Sequence, residues 1–287
     1  MADNIKKTIN RNEQRYNDFV QSCAENIACD SSVKLLLVAG PSCSGKTTTT
    51  EKLVSHLESF GKKAHMISID DFYKNSEDLP VNPDGTKNME SFDSIDTAFL
   101  HACLADLAKG REAEVPLFDF TISRRNGVRK KIKLSKDDIA IIEGLHALNP
   151  DIYRNFVSED MVYKIFLDCH SESVSEMRYS RLIRRLVRDF YYRSSDAANT
   201  FFLWKGVLEG EKKYIYPYAH LADTTINTYF EYETRVFKSH VMPILEATPT
   251  DSEYRPSAEA ILEFLSGIEG IDSKYVPKDS LLQEFLK

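Results

Sequence analysis

Cysteine is scarce and scattered. Its five copies (Cys23, Cys29, Cys43, Cys103 and Cys169) are odd in number and lack metal-ligand spacing, which excludes a disulfide frame and a cysteine-built metal site. They read as reduced thiols, so the cytoplasm is the expected setting. An excess of positive charge is also missing. With 37 Lys and Arg against 44 Asp and Glu, the formal net charge is −7, a poor balance for a dedicated nucleic-acid binder. No apolar run approaches the roughly 20 residues that cross a bilayer, and the opening MADNIKKTINRNEQ has no apolar signal core. Repeats and low-complexity tracts are absent, and the seven histidines show no ligand spacing. What remains is a globular chain of 287 residues, long enough for one large domain or a core with a smaller appendage. Its expected partner is a small molecule, with no nucleic acid and no membrane.

Apolar patterning then gives the order of elements. Residues 5–28 read as an amphipathic helix. The run at 33–39 is continuously apolar, as a strand buried on both faces must be. Residues 47–60 have helical spacing (Leu53, Val54, Leu57, Phe60) and stop at Gly61, and a second strand is expected at 64–69. Residues 75–94 are rich in Asn, Asp, Pro and Gly and read as loop, before a helix at 97–109. The segment 114–134 alternates and contains Asn126-Gly127, a strong hairpin signal. Short strands at 139–142, 162–167 and 224–227 are interleaved with helices at 172–193 and 197–213, and further helices follow at 231–247 and 257–267. Strands that alternate with helices and end in Asp, Glu or Gly imply an α/β fold with a mainly parallel sheet. A small antiparallel hairpin and a helical C-terminal extension complete it. The expected division is an N-terminal helix at 1–30, a catalytic domain at 31–230, and the extension at 231–287 packed on that domain.

The stretch Gly40-Pro-Ser-Cys-Ser-Gly45-Lys46-Thr47 matches G-x-x-x-x-G-K-[ST] and lies between a buried strand and a helix, where that phosphate-binding loop belongs. Loop N–H groups and the helix N-terminus suit a polyphosphate. The expected fold is therefore that of a P-loop NTPase. Gly40, Ser42, Ser44, Gly45, Lys46, Thr47 and Thr48 are the candidate ATP contacts, with Lys46 also catalytic and Thr47 a ligand for Mg2+.

The phosphoryl acceptor is sought at the other strand ends. Asp70, in SIDDFY, is the candidate base for an attacking hydroxyl and a candidate Mg2+ neighbour; Asp70 and Asp71 also read as solvated turn acids. Glu143, before Gly144, sits where P-loop proteins keep a metal-organising acid, or is a solvated strand end. Phe92-Asp93 pairs a ring with a carboxylate, suited to a sugar with vicinal hydroxyls but weak alone. Arg181, Arg185 and Arg188 fall at i, i+4 and i+7 on one helix face, with Arg193 beyond, and suggest an anion site. The bland reading is a charged face paired with Asp189 and Glu172. Phe201, Phe202 and Trp204 read as core or interface aromatics, and His146 lies near the cleft with a structural role equally open.

Taken in order, GPSCSGKTT (40–48), DDFY (70–73), SFDSIDTAF (91–99), VPLFDF (115–120), IIEG (141–144), KIFLD (164–168) and RLIRRLVRD (181–189) resemble the uridine kinase and phosphoribulokinase family of P-loop kinases. The resemblance covers about residues 33–230. The later WKGVLEGEKKYIYPY segment is similar to a uridine-kinase-like branch often joined to a synthetase-like N-terminal module, which this sequence does not contain. The resemblance implies ATP and Mg2+ as cofactors and phosphorylation of a ribose 5′-hydroxyl by way of Asp70. It also implies a nucleoside pocket lined by Tyr73 and Phe92, ribose hydroxyls held by Asp93 and Arg185, and ATP phosphates gripped by Arg188 and Arg193. A homo-oligomer is a further implication of the family alone.

Three departures bear on the acceptor. Family members carry a tyrosine and a histidine that read the pyrimidine edge; here those positions are Phe118 and Ser123, and a lid arginine is replaced by Ser195. Loss of two polar base-reading groups removes discrimination on the order of 10²–10⁵-fold. The resemblance still gives uridine or cytidine as the expected acceptor, with a different hydroxyl-bearing metabolite or a sugar phosphate as the alternative. Arg124 and Arg125 would favour an acceptor that already bears an anion. A P-loop switch or interaction module is the reading of a different class.

Overall fold

The structure, a computed structural model, describes residues 2–83, 85–119 and 122–286. Helix α1 (Ala2–Cys29) leads into β1 (Leu35–Ala39), α2 (Lys46–Ser59) and β2 (Ala64–Ser68). After a loop come α3 (Thr97–Ala108), the antiparallel pair β3 (Ala113–Asp119) and β4 (Arg124–Ile132), then β5 (Ile139–Glu143) and β6 (Val162–Asp168). The chain continues through α4 (Val174–Arg193), α5 (Ala197–Gly210), α6 (Tyr216–Ala219), β7 (Thr224–Asn227), α7 (Glu233–Glu246) and α8 (Arg255–Ser266).

Five strands form a parallel sheet in the order β2-β5-β1-β6-β7. The two most apolar strands, LLLVA and IAIIE, lie inside the sheet and are buried at every residue. Alternation along β1 feeds two cores. Leu36 and Val38 face a cluster built with α1, α2, α4, α7, α8 and the C-terminal tail, whereas Leu35, Leu37 and Ala39 face one built with α3 and β3. Local caps define the helix starts: Asp96 accepts from the Phe99 N–H at 3.1 Å and Asp196 from the Asn199 N–H at 2.8 Å.

The expected hairpin is present, but Asn126-Gly127 is not its turn. Pro116 lies opposite Arg129 while Phe118 lies opposite Arg125, so residues 126–128 form a bulge inside β4. Gly127 has φ +79° there, and Asn126 Oδ1 accepts from the Val128 N–H at 2.9 Å. The left-handed geometry that makes Asn-Gly a good hairpin turn serves a bulge equally well. The connection between the strands includes residues 120 and 121, which lie outside the described residues, as does Phe120 at the end of the 115–120 match.

α5 also ends earlier than its apolar spacing implies. At Glu211–Ile215 the helix widens into a π turn before α6 begins at Tyr216, a local unwinding that is frequent at functional sites.

Candidate active site

A cavity of about 1120 Å³ opens at the carboxyl ends of the strands. The 40–47 loop forms its floor. A Cβ on Gly40 would stand 2.6 Å from the Leu167 carbonyl oxygen, and Gly45 caps α2 with φ +80°, so both positions need glycine. Lys46 Nζ donates to the Gly40 and Pro41 carbonyls at 3.0 and 3.1 Å, which arches the lysine across the loop. Thr47 is exposed to the cavity, while Thr48 donates its hydroxyl proton to Glu284 Oε2 at 2.7 Å. Gly40 and Ser44 lie beneath the loop, off the cavity wall. A glycine-shaped loop at the start of a helix, with a lysine and a threonine at its mouth, fits the phosphates of a nucleotide.

Helix α4 supplies the cationic wall. Arg185 Nη1 donates to Ser42 Oγ at 3.1 Å, and Arg185, Arg188 and Arg193 all pair with the single carboxylate of Asp189, at 3.2, 2.7 and 3.7 Å. One buried acid thus gathers three guanidinium groups at the cavity and leaves them short of negative charge. Burial, and the neighbouring Arg188, push the Arg193 guanidinium below its ordinary value. An incoming polyphosphate relieves that shortage.

Arg181 behaves differently. It forms a fork with Glu211 at 2.7 and 2.9 Å and also donates to the Ser42 carbonyl at 3.1 Å. Glu211 Oε1 in turn accepts from the Ser42 N–H at 2.9 Å, so the π turn ties α4 to the phosphate loop. The indole of Trp204 lies under both Arg181 and Arg185, 5.4 and 5.8 Å from their guanidinium carbons. Trp204 is a core residue as expected and also supports these arginines. Phe201 is buried at the cavity edge, whereas Phe202 is exposed on its rim, not in the core.

Opposite the arginines stand the carboxylates. Asp70 lies in a one-turn helix after β2, at the cavity wall, and burial followed by the charge of Asp71 raises its carboxyl against the pull of Lys46. Asp71 turns away and accepts from the Phe118 N–H at 3.0 Å. Glu143, at the end of β5, takes a hydrogen bond from Ser68 Oγ at 2.5 Å. Burial and the charge on Asp70 push it up to about 7. Glu90 and Tyr73 complete this side of the wall. His146 is 2% exposed and packs between the rings of Phe92 and Tyr214, at 5.5 and 6.0 Å; burial pushes it down to about 4, so it stands neutral beside the site.

The model of the phosphoribulokinase / uridine kinase family matches residues 35–234. The chain belongs to that family. Membership makes it an ATP-dependent small-molecule kinase. A uridine kinase from Macrococcus caseolyticus is 31% identical over 163 residues, which covers 57% of this chain and 72% of the relative. Among solved structures, one described as a possible uridine kinase from Bacillus stearothermophilus aligns with a TM-score of 0.50 at 19% identity, covering 73% of this chain and 98% of that one. D-glycerate 3-kinase from Cryptococcus neoformans aligns with the same TM-score at 15% identity, covering 72% and 89%. At such identities the structural likeness speaks to the fold alone.

Against the family pattern, the acceptor residues divide into two groups. Asp70, Tyr73 and Arg185 line the cavity; Phe92, Asp93, Phe118 and Ser123 do not. Asp93 is exposed, Phe118 packs behind Tyr73 with ring centroids 5.8 Å apart, and Ser123 sits near the hairpin connection with φ +50°. Arg124 and Arg125 are also elsewhere. Arg125 is engaged by the Phe72 and Tyr73 carbonyls and by Asp96 at 2.9 Å, and Arg124 pairs with Glu77 at 3.2 Å. They brace the hairpin and offer nothing to an anionic acceptor. Sequence reasoning named Asp189 as a partner of the arginines, which the ion pairs bear out, but passed over Glu90, Glu211 and Glu284. Gly210, a lone glycine in a helical pattern just before Glu211, was the available signal.

Proposed function

We propose that the chain transfers the γ-phosphoryl group of ATP to a primary hydroxyl of an uncharged polyol, with the 5′-hydroxyl of uridine or cytidine as the leading acceptor. The observation that carries this is the facing of Asp70 by Lys46, Arg188 and Arg193 across one cavity, a base opposite a phosphate grip. Asp70 takes the proton of the attacking hydroxyl while a bond forms from that oxygen to phosphorus and the bond to the ADP oxygen breaks. Lys46, Arg185, Arg188 and Arg193 stabilise charge on the transferring group. Ser42, Ser44, Gly45 and Thr48 belong to the nucleotide's side of the reading. Thr47 and Glu143, with Asp70 near them, offer the hard oxygen donors that suit Mg2+. When bound, that ion would neutralise phosphate oxygens as a Lewis acid. Tyr73 and Arg185 face the acceptor, and Phe92 stands off the cavity wall against His146.

A second reading is favoured by one observation: Phe118 and Ser123 lie off the cavity wall. A smaller polyol without a base then serves as well as a nucleoside. The absence of Arg124 and Arg125 from the wall removes the support for a sugar-phosphate acceptor.

The test is acceptor-dependent ADP release from Mg·ATP with uridine, cytidine, purine nucleosides, ribose, glycerate and ribulose 5-phosphate. A strong response to a pyrimidine nucleoside is expected. Asp70→Asn should lower it by roughly 10²–10⁴-fold while ADP binding is kept. ATP turnover that ignores every acceptor, and survives Asp70→Asn, would replace the kinase by a switch.

A further inference from the structure

Glu90 belongs to no motif of the sequence, yet it is built into the acceptor side of the cavity with unusual care. Its backbone is anchored from both directions: Asn88 Oδ1 accepts from the N–H groups of Glu90 and Ser91, each at 3.0 Å, and the Tyr73 hydroxyl donates to the Met89 carbonyl at 3.0 Å. Its side chain passes directly over Gly210, where a Cβ would stand 2.5 Å from the Glu90 Cβ. Only a residue without a side chain leaves that space.

One oxygen of the carboxylate so positioned is left without a partner in the protein. Glu90 Oε2 is buried and has no hydrogen-bond partner. Arg185, whose charge acts on it most strongly, is paired with Asp189 and Ser42 instead. A carboxylate oxygen held out of water without a donor is costly, and buried polar groups left in that state mark a place where a partner is missing. Asp70 and Glu211 also bear on Glu90, so an anionic partner would meet like charge there. A hydroxyl meets a strong, charge-assisted acceptor.

The geometry points to Glu90 as the residue that binds a second, non-reacting hydroxyl of the acceptor, so that the substrate is a polyol that gives one hydroxyl to Asp70 and another to Glu90. This rests on the kinase reading above and adds a specificity residue to it. Gly210 is its positioning partner: it acts only by leaving room for the glutamate.

The experiment measures kcat and KM for the best polyol of the acceptor panel and for its deoxy analogues (2′- and 3′-deoxyuridine, for uridine), together with ADP affinity, in wild type, Glu90→Gln, Glu90→Ala and Gly210→Ala. One deoxy analogue should be poor for the wild type. Glu90→Ala should raise KM for the full polyol by roughly 10–100-fold, Glu90→Gln by less because its amide oxygen still accepts, with ADP affinity held within about twofold. In Glu90→Ala the preference for the full polyol over that analogue should collapse, as a double-mutant cycle requires. Gly210→Ala should shift KM in the same direction although alanine favours the helix. A KM within twofold of wild type in Glu90→Ala overturns the assignment and leaves the kinase standing. So does a raised KM with the deoxy preference intact, or a parallel loss of ADP affinity, since both mark a structural role. If no acceptor stimulates the wild type, both readings fall together.

Discussion

Glu143 is 6% exposed and hydrogen-bonded to Ser68, yet its carboxyl is lifted from 4.5 to about 7. A carboxyl raised in the folded state binds more protons there than in the unfolded chain, so the folded protein loses stability as pH rises through that window. The span from 4.5 to about 7 corresponds to on the order of 3 kcal/mol. His146 tilts the other way. Its ring, pushed from 6.5 down to about 4, stays neutral while the unfolded chain takes a proton, so folding gains as pH rises between those values. The two slopes oppose each other over most of the acid range, and the diagnostic quantity is the difference from a variant. Without nucleotide, Glu143→Gln should match the wild type near pH 4.5 and exceed it by up to about 3 kcal/mol above pH 7, read by urea unfolding across pH 4.5–8. A difference that stays flat with pH would show that Glu143 is ionised and comfortable in the free protein. On the proposed reading, in which Glu143 offers an oxygen to Mg2+, the strain has a functional sense: the acid is unsettled until a cation arrives.

Among the elements, the C-terminal tail has the least expected role. Its last turn, Leu281–Glu284, lies on the phosphate loop: Leu281 crowds Gly45, so that a Cβ there would meet its side chain at 2.4 Å, and Glu284 takes the Thr48 hydroxyl proton. A carboxylate at the N-terminus of α2 complements the helix dipole while the site is free, and it repels phosphates that seek the same place. Glu284→Gln should therefore tighten ATP and ADP binding by roughly threefold to tenfold, the effect of one removed like charge near the surface, measured by titration calorimetry. Weaker binding would mean that the tail helps to hold the nucleotide. Nothing in SLLQEFLK announced this, because the contact spans 236 residues of chain and leaves no periodic trace. Local chemistry was far more legible: β1, α2 and the phosphate loop follow from apolar runs and glycine positions within a single window. Asn126-Gly127 shows the limit even there. The dipeptide fixes a left-handed backbone and does not say whether that backbone closes a turn or bulges a strand.

At the scale of the whole molecule, the mainly parallel sheet and the placing of Asp70 and Glu143 at its carboxyl edge were readable because strand ends in a parallel sheet meet at one edge. The acceptor pocket was not. Glu90 and Glu211 meet their arginines from distant parts of the chain, and an acid's neighbours across a fold have no signature in spacing, whereas Asp189 stands one turn from Arg185 and Arg193 on α4. Long-range contacts also join what the sequence divides into three parts. Tyr16 of α1 shares a buried hydrogen bond of 2.8 Å with Thr49, whose hydroxyl donates to the Gly45 carbonyl at 2.8 Å; from the tail, Ser280 donates to Glu13 of α1 at 2.5 Å. Ile27, Leu53, Trp204, Phe237 and Phe285 belong to one buried cluster. A leading helix packed in this way is part of the core that shapes the phosphate loop. Ile27→Ala, which empties a site with no exposure, should cost about 2–5 kcal/mol. Trp204, the single tryptophan, reports from beside the arginines. Its fluorescence and the far-UV circular dichroism should move to a lower urea midpoint together, in one transition. If the fluorescence midpoint held while helix signal was lost early, α1 would be an appendage that melts alone, and the link from Tyr16 to Gly45 would carry no weight in the active site.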